Sequence, residues 1–255
     1  MPGSREQLLT GWRERWEAPV VGWNFSEFGD GFDPDEPPWQ YEVVARGLLQ
    51  RARHVLDLGT GGGEVLLRLA DALPPDTVAT EGWAVNLPVA TAALQPHAIP
   101  VVRYDAEVDD RLPFDDRRFD LVLDRHEAYD AQEVWRVLRD GGTFCTQQVD
   151  GRDAQHVRQL FGADSTYADV TLERCRDDLE QTGFDIERAE SWSGTLTFAD
   201  IGTFVRYLAF VPWEAPDDFS VEGYAEVLLS LHEAIDTGRP LVVPKRRFLL
   251  LARRA

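Results

Sequence analysis

One stretch limits the fold of this 255-residue chain more than any other: Val55-Leu56-Asp57-Leu58-Gly59-Thr60-Gly61-Gly62-Gly63-Glu64. It reads as a buried strand running into a glycine turn and then a helix. Glycines at 59, 61 and 63 let the backbone turn tightly and approach a ligand closely. An open α/β sheet binds ligands at the carboxyl ends of its strands, and this turn stands at such an end. Without the strand before it and the helix after it, the loop alone would say little.

The sequence around it has the matching texture. Short apolar runs at 54–58, 78–81, 99–104, 119–124 and 143–149 alternate with helix-like segments at 64–71, 87–94 and 131–139, as βα units of a mainly parallel sheet do. A helix over 170–182, stopped by Gly183, leads to a sixth strand at 185–192. The seventh run, 248–252, comes only after about 50 residues with helical pattern near 199–209 and 221–235, too long for a loop without structure of its own. At the other end, Ser4 and Gln7 have capping-box spacing, and Leu8, Trp12 and Trp16 follow at intervals of four. That helix stops before Pro19. An irregular aromatic loop over 22–38, with Trp23, Phe25, Phe28 and Phe32, and a helix over 39–50 complete the N-terminal part.

The expected architecture is a single domain over 1–255. Its core comprises 52–193 and 246–255, with an N-terminal aromatic helical cap at 1–50 and a helical cap insertion at 194–245. Of 27 aromatic residues, 8 lie in 1–50 and 7 in 194–245, so the flanks are enriched. They either dock on a hydrophobic face or form a lid over the site. In the second case Phe204, Tyr207, Phe210 and Trp213 line an apolar substrate pocket. The first three share one helix face, and Trp213 follows Pro212 beyond its end.

Charge narrows the partners. Asp and Glu outnumber Lys and Arg by 45 to 26, for a net −19, and no stripe of Arg free of acids exists to grip a phosphate backbone. Nucleic acid is therefore disfavoured as a partner. Arg5, Glu6, Arg13, Glu14, Arg15 and Glu17 exclude a secretory apolar centre in the first 20 residues, and no apolar run suffices for a membrane helix, so the expected location is cytoplasmic. Two cysteines, Cys145 and Cys175, both in apolar patterns, read as small buried hydrophobes.

Acids at the strand ends specify the ligand. A dinucleotide fingerprint needs its third glycine where this chain has Glu64, an anion unfavourable beside a pyrophosphate. Asp57 and Glu64 together point to a cofactor with a cationic part and no phosphate. Glu81 ends the second strand 24 positions after Asp57, where a carboxylate can accept from both ribose hydroxyls. Trp83 packs on an adenine or covers the sheet edge. Asp105, ending the third strand, accepts an adenine amino proton or caps its own loop.

With these residues on the page, the chain resembles the class I S-adenosylmethionine-dependent methyltransferases. Asp57-Leu58-Gly59-Thr60-Gly61-Gly62-Gly63 matches their D-x-G-x-G-x-G element. Leu112-Pro113-Phe114-Asp115, Phe119-Asp120-Leu121-Val122 and the run from Val134 to Gly142 resemble later elements of the branch that includes the ubiquinone and menaquinone biosynthesis enzymes. The resemblance implies a Rossmann-like, seven-stranded, mostly parallel sheet with an antiparallel last strand. It implies S-adenosylmethionine as cofactor, S-adenosylhomocysteine as product, and a small-molecule metabolite or natural-product acceptor. Carried over, Gly59 and Gly61 line the methionine part, Glu81 the ribose, and Asp105 with Ala106 the adenine. Asp124 faces the methionine or the reacting centre. The Asn/Asp-Pro-Pro-aromatic element of amino-directed DNA methyltransferases is absent, because Arg125-His126-Glu127 follows Asp124.

A sulfonium methyl is already activated, so alignment and exclusion of water are the main tasks. If the acceptor must lose a proton, His126 is the expected proton-handling residue, with Glu127 its rival. Otherwise His126 caps the following segment or orients substrate. Asp124 and Asp150 are two oxygen ligands without a third, so no metal is expected. Two other functions compete: a cofactor-binding protein without catalysis, and a nicotinamide-dependent oxidoreductase. Oxygen, nitrogen or carbon as the methylated atom, and monomer or homodimer as the assembly, stay open.

Overall fold

The computed structural model describes residues 4–20, 25–153, 155–164 and 167–255, with side chains of 25–27 outside the description. Trp23 and the Phe25 side chain of the aromatic loop therefore lie outside the described residues. One sheet organises the rest. Its strands run in the order β1 (Phe32–Pro34), β7 (Phe184–Phe198), β8 (Leu241–Arg254), β6 (Leu138–Val149), β5 (Phe119–Arg125), β2 (His54–Leu58), β3 (Asp76–Glu81) and β4 (Val101–Arg103). From β4 across to β6 all pairs are parallel, and β8 runs antiparallel to both β6 and β7. The expected antiparallel last strand is present.

The central strands are buried on both faces, which is why their sequences are continuously apolar instead of alternating. Leu56, Leu58, Val122, Phe144, Phe248 and Leu250 build the core on one face, beneath α5 (Ala131–Val137) and α7 (Leu172–Thr182). Val55, Leu121, Leu123, Cys145 and Leu249 build the other, against α2 (Tyr41–Leu49) and its neighbour Trp39. Helix ends obey local chemistry. The Thr171 side chain accepts the Arg174 N–H at the start of α7, and Gly183, at φ 110°, ends it.

Four expectations need correction. The sheet has eight strands among the described residues, because Phe32–Pro34 adds an antiparallel edge to β7. Residues 194–198 and 241–245, assigned to the helical insertion, are instead the extended ends of β7 and β8, paired from Gly194–Lys245 to Phe198–Leu241. Leu196, Phe198, Leu241 and Val243 give that ribbon an apolar face for the cap helices, a short one-sided alternation easily hidden beside a strong helical pattern. Residues 138–142, assigned to a helix end and its glycine stop, begin β6. Finally, α2 packs on the sheet core and not within the cap.

The remaining N-terminal helix, α1 (Arg5–Glu17), opens with the expected Ser4–Gln7 capping box. Its Trp12 shares a hydrophobic core with α8 (Ile201–Phe210), α9 (Ala225–Asp236) and the β7–β8 ribbon. The first helix and the insertion therefore form one cap with a core of its own.

Candidate functional site

Parallel register brings the site together. Leu58 lies beside Asp124, Asp124 beside Thr146, and Arg125 beside Gln147, so the carboxyl ends of β2, β5 and β6 finish at one level. The antiparallel β8 passes that level, with Arg247 opposite Val149 at the end of β6 and Lys245, Arg246 and Arg247 opposite Gly194, Ser193 and Trp192 of β7.

The glycine turn follows β2. Gly59 (φ 60°) and Gly61 (φ 65°) adopt the left-handed conformation that a side chain disfavours. Sterics add a second reason at Gly59: a Cβ there would run into the Glu127 side chain, which lies directly over the turn. The Gly62 N–H, at the entry to α3 (Glu64–Leu69), donates to Glu64 Oε2 at 3.0 Å. An acid of the chain itself therefore occupies the position where a dinucleotide would need its pyrophosphate.

Around the turn stand carboxylates. Glu81, only 4% exposed, accepts the Gly61 N–H at 2.7 Å through Oε2 and the Trp83 N–H at 2.8 Å through Oε1. Burial raises its pKa, and those backbone donors oppose the rise. Burial pushes Asp57 up to about 7, with Glu81 adding repulsion and the Arg125 charge opposing the rise. Glu127 also rises to about 7, through burial first and the Glu81 charge second. None of Asp57, Glu81, Asp124 and Glu127 has a cation within ion-pair distance among the described residues.

Other expected residues have visible structural duties. Asp105 Oδ1 accepts the Glu107 N–H at 3.0 Å and so caps its loop, leaving its second oxygen for other partners. Ala106 is half-buried beside it, and Trp83 is 44% exposed beyond Glu81. Asp124 is fully buried. It accepts from Thr146 Oγ1 and Gln148 Nε2, both at 2.9 Å, and from the Glu127 N–H at 3.2 Å. It knots β5 to β6 and holds the start of the 125–128 segment.

His126 sits at the end of β5 with φ 66°, an unusual value for a non-glycine residue, and its N–H donates to the Gln147 carbonyl at 2.8 Å. Its ring Nε2 lies 3.0 Å from Gln147 Nε2. The Gln147 oxygen is engaged elsewhere, accepting the Trp39 indole N–H at 2.8 Å. An amide nitrogen carries only hydrogens, so His126 Nε2 must present its lone pair. His126 is then neutral, with its proton on Nδ1. The enclosing protein, and Arg125, Arg247 and Lys245 nearby, push its pKa well below the usual imidazole value, in agreement.

The cap aromatics are placed differently. Phe204 is fully buried against Phe161 and Phe198, and Phe210 is buried against Phe28. Tyr207 donates to Glu214 at 2.7 Å and accepts from Lys245 at 2.8 Å. Trp213 is 40% exposed. The first two are core residues of the cap, and Tyr207 ties the cap to β8 through Lys245, which also pairs with Asp153 at 2.7 Å.

Arg125, Trp39, Thr146, Gln147 and Gln148 were missed from the sequence. The signal was present in part: three consecutive polar residues, Thr146 to Gln148, interrupt an otherwise apolar buried strand. Buried polar groups at a strand's carboxyl end require partners and are worth attention.

Comparison with known proteins agrees with this geometry. Residues 55–142 match the family model described as a methyltransferase domain. A demethylmenaquinone methyltransferase of Roseiflexus castenholzii is 34% identical over 150 residues, covering 52% of this chain and 61% of its own length. YcgJ of Bacillus subtilis, named an uncharacterized methyltransferase, is 29% identical over 102 residues, covering 37% of this chain and 40% of its own. The chain thus spans less than two thirds of either relative. The crystal structure of YcgJ superposes with a TM-score of 0.60 at 17% identity, over 84% of this chain and 97% of that one. That of the [4+2]-cyclase SpnF reaches 0.51 at 17% identity, over 97% and 92%. At such identities the solved structures share the fold alone. Motif, strand order and family match converge on residues 55–142, which match a methyltransferase domain and build the glycine turn and the parallel half of the sheet.

Proposed function

We propose that the protein transfers a methyl group from S-adenosylmethionine to a small-molecule acceptor. One observation carries the reading: buried acids crowd a left-handed glycine turn, and among the described residues no cation stands within ion-pair distance of Asp57, Glu81 or Glu127. Such a donor-poor, acceptor-rich site fits a group that brings positive charge, ribose hydroxyls and an adenine amino group, and it repels a pyrophosphate. Bound there, S-adenosylmethionine supplies an activated methyl on a cationic sulfonium.

The chain's own residues do the rest. Glu81 takes the ribose hydroxyls, exchanging its present backbone donors or sharing them. Asp105, with Ala106, receives the adenine, and Trp83 covers it. Gly59, Thr60 and Gly61, with Asp57 beneath them, form the wall for the methionine part. Asp124 acts indirectly, by fixing the backbone that presents Glu127. Where an acceptor must lose a proton, Glu127 takes it in preference to His126, because its carboxyl is poised near neutrality and His126 has its lone pair occupied. Trp213, the exposed one of the four cap aromatics, contributes to the cap side of the substrate space.

A small acceptor accords with the net charge of −19 and with the name of the Roseiflexus relative. The SpnF likeness is a reminder that this fold also hosts a cyclase, so activity needs its own test. The experiment is calorimetry with S-adenosylmethionine and S-adenosylhomocysteine, followed by transfer of labelled methyl to a metabolite panel. Folded protein that binds neither at millimolar ligand overturns the reading. Glu81→Gln is expected to lose about 1–3 kcal/mol of affinity, the scale of hydrogen bonds to a charged acceptor.

A further inference from the structure

Acids gather at the carboxyl ends of β2 to β4, and the cations near the strand ends stand toward β5, β6 and β8. On the β2–β4 side stand Asp57, Glu81, Asp105 and Glu127. On the β5–β6–β8 side stand Arg125, His126, Lys245 and Arg247 together with the buried acids Asp124 and Asp153. Lys245 and Arg247 are spoken for, since both pair with the buried Asp153, at 2.7 and 3.0 Å. Arg125 is not: its guanidinium has no carboxylate within ion-pair distance among the described residues. Beside it the Trp39–Gln147 bond fixes the amide that occupies His126 Nε2, which leaves Nδ1–H as the free edge of the ring.

We propose that Arg125 and His126 together bind an anionic oxygen of the acceptor substrate, a carboxylate or an enolate-type oxygen. Arg125 supplies charge and two parallel donors, and His126 supplies one directed Nδ1–H donor. The acids around the glycine turn then take the cationic cofactor, and Arg125 with His126 an anionic acceptor. His126 is on this assignment a binding donor that orients the acceptor, and not a base. That the anion belongs to an acceptor rests on the methyl-transfer reading; that an anion binds here does not.

The test titrates acetate, 4-nitrophenolate and the neutral acetamide into ligand-free, isotope-labelled protein, following the His126 ring nitrogens and Arg125 Nε by NMR. Acetate or 4-nitrophenolate should shift both signals saturably, acetamide should not, and the anion that binds better identifies the oxygen type. Arg125→Gln should weaken the anion at least about fivefold, the scale of a partly screened ion pair. His126→Asn, which tolerates the left-handed backbone, should weaken the anion a few-fold and keep the preference for anion over amide, which Arg125 carries. S-adenosylhomocysteine affinity should stay within about twofold in Arg125→Gln, since its ligands lie at the ends of β2 to β4. No saturable shift with either anion, equal binding of acetamide, or unchanged anion affinity in Arg125→Gln would overturn the proposal. Anion binding with no binding of S-adenosylhomocysteine would overturn the methyl-transfer reading and leave this one standing.

Discussion

The indole N–H of Trp39 donates to Gln147 Oε1 at 2.8 Å, and this single bond fixes which edge of the His126 ring is free. With the amide oxygen committed, its nitrogen faces His126 Nε2 at 3.0 Å. The consequence can be measured. Gln147→Glu replaces the donor with an acceptor, so His126 should take a second proton and its pKa should climb from well below the usual value to above about 6.5. In the parent, nitrogen chemical shifts should show a neutral Nδ1–H ring throughout pH 6–8.

Gly59 leaves no room for a side chain. Its φ of 60° and the Glu127 side chain above it make Gly59→Ala doubly unfavourable. The expected cost is about 1–3 kcal/mol of stability, read from urea unfolding, together with loss of cofactor binding by calorimetry. Gly47, around which no atom would meet a Cβ, is the control: Gly47→Ala should be neutral or stabilising.

Asp57 and Glu127 link cofactor binding to pH. Both carboxyls reach about 7 in the folded chain, so near neutrality each is partly protonated. A sulfonium favours their ionised forms. Affinity for S-adenosylmethionine should therefore rise from pH 6 to 8, with proton release detectable as a buffer-dependent binding enthalpy, and the neutral sulfur of S-adenosylhomocysteine should show less of both.

The same shifts predict a stability profile. Between the usual carboxylate range and pH 7 the folded state holds more protons at Asp57 than the unfolded state, so stability falls as pH rises across that window. Asp57→Asn removes its own part of the decline and leaves that of Glu127. At pH 8 it should raise the ligand-free unfolding free energy by about 2–4 kcal/mol while weakening S-adenosylmethionine binding.

Asp153 is fully buried and holds two cations, Lys245 and Arg247. Removing it in Asp153→Ala leaves Arg247 without a carboxylate among the described residues and Lys245 with Glu214 alone, at 3.5 Å. The expected loss is about 3–5 kcal/mol, measured by urea unfolding, because an unpaired buried charge costs more than the pair contributed. Lys245 also meets Tyr207 of the cap at 2.8 Å, so the cap should open to hydrogen exchange before the sheet does.

Much of this was legible in the chain. Continuous apolar runs required strands buried on both faces. The run 54–58 followed by glycines required a ligand turn at the sheet's carboxyl edge. Glu64 in place of a third glycine excluded a pyrophosphate there. Each of these follows from neighbours in sequence, because burial period, turn chemistry and helix entry are properties of a few consecutive residues. The Ser4 capping box and the Gly183 stop are of the same local kind.

What the sequence by itself determined is therefore the sheet, the glycine turn and the acids that end its strands. Only tertiary structure decided the rest. Trp39 and Gln147 stand 108 positions apart, and nothing local says that one sets the tautomer partner of the other. Glu127 stood in the sequence only as the rival to His126; that its side chain lies over Gly59, 68 residues away, follows from the packed fold alone. Phe204 has the spacing of a pocket residue, yet it faces Phe161 and Phe198 inside the cap, because a helix face shows its period but not what it is packed against. Pattern along the chain fixes which side chains share a face, and only the packed fold fixes what that face meets.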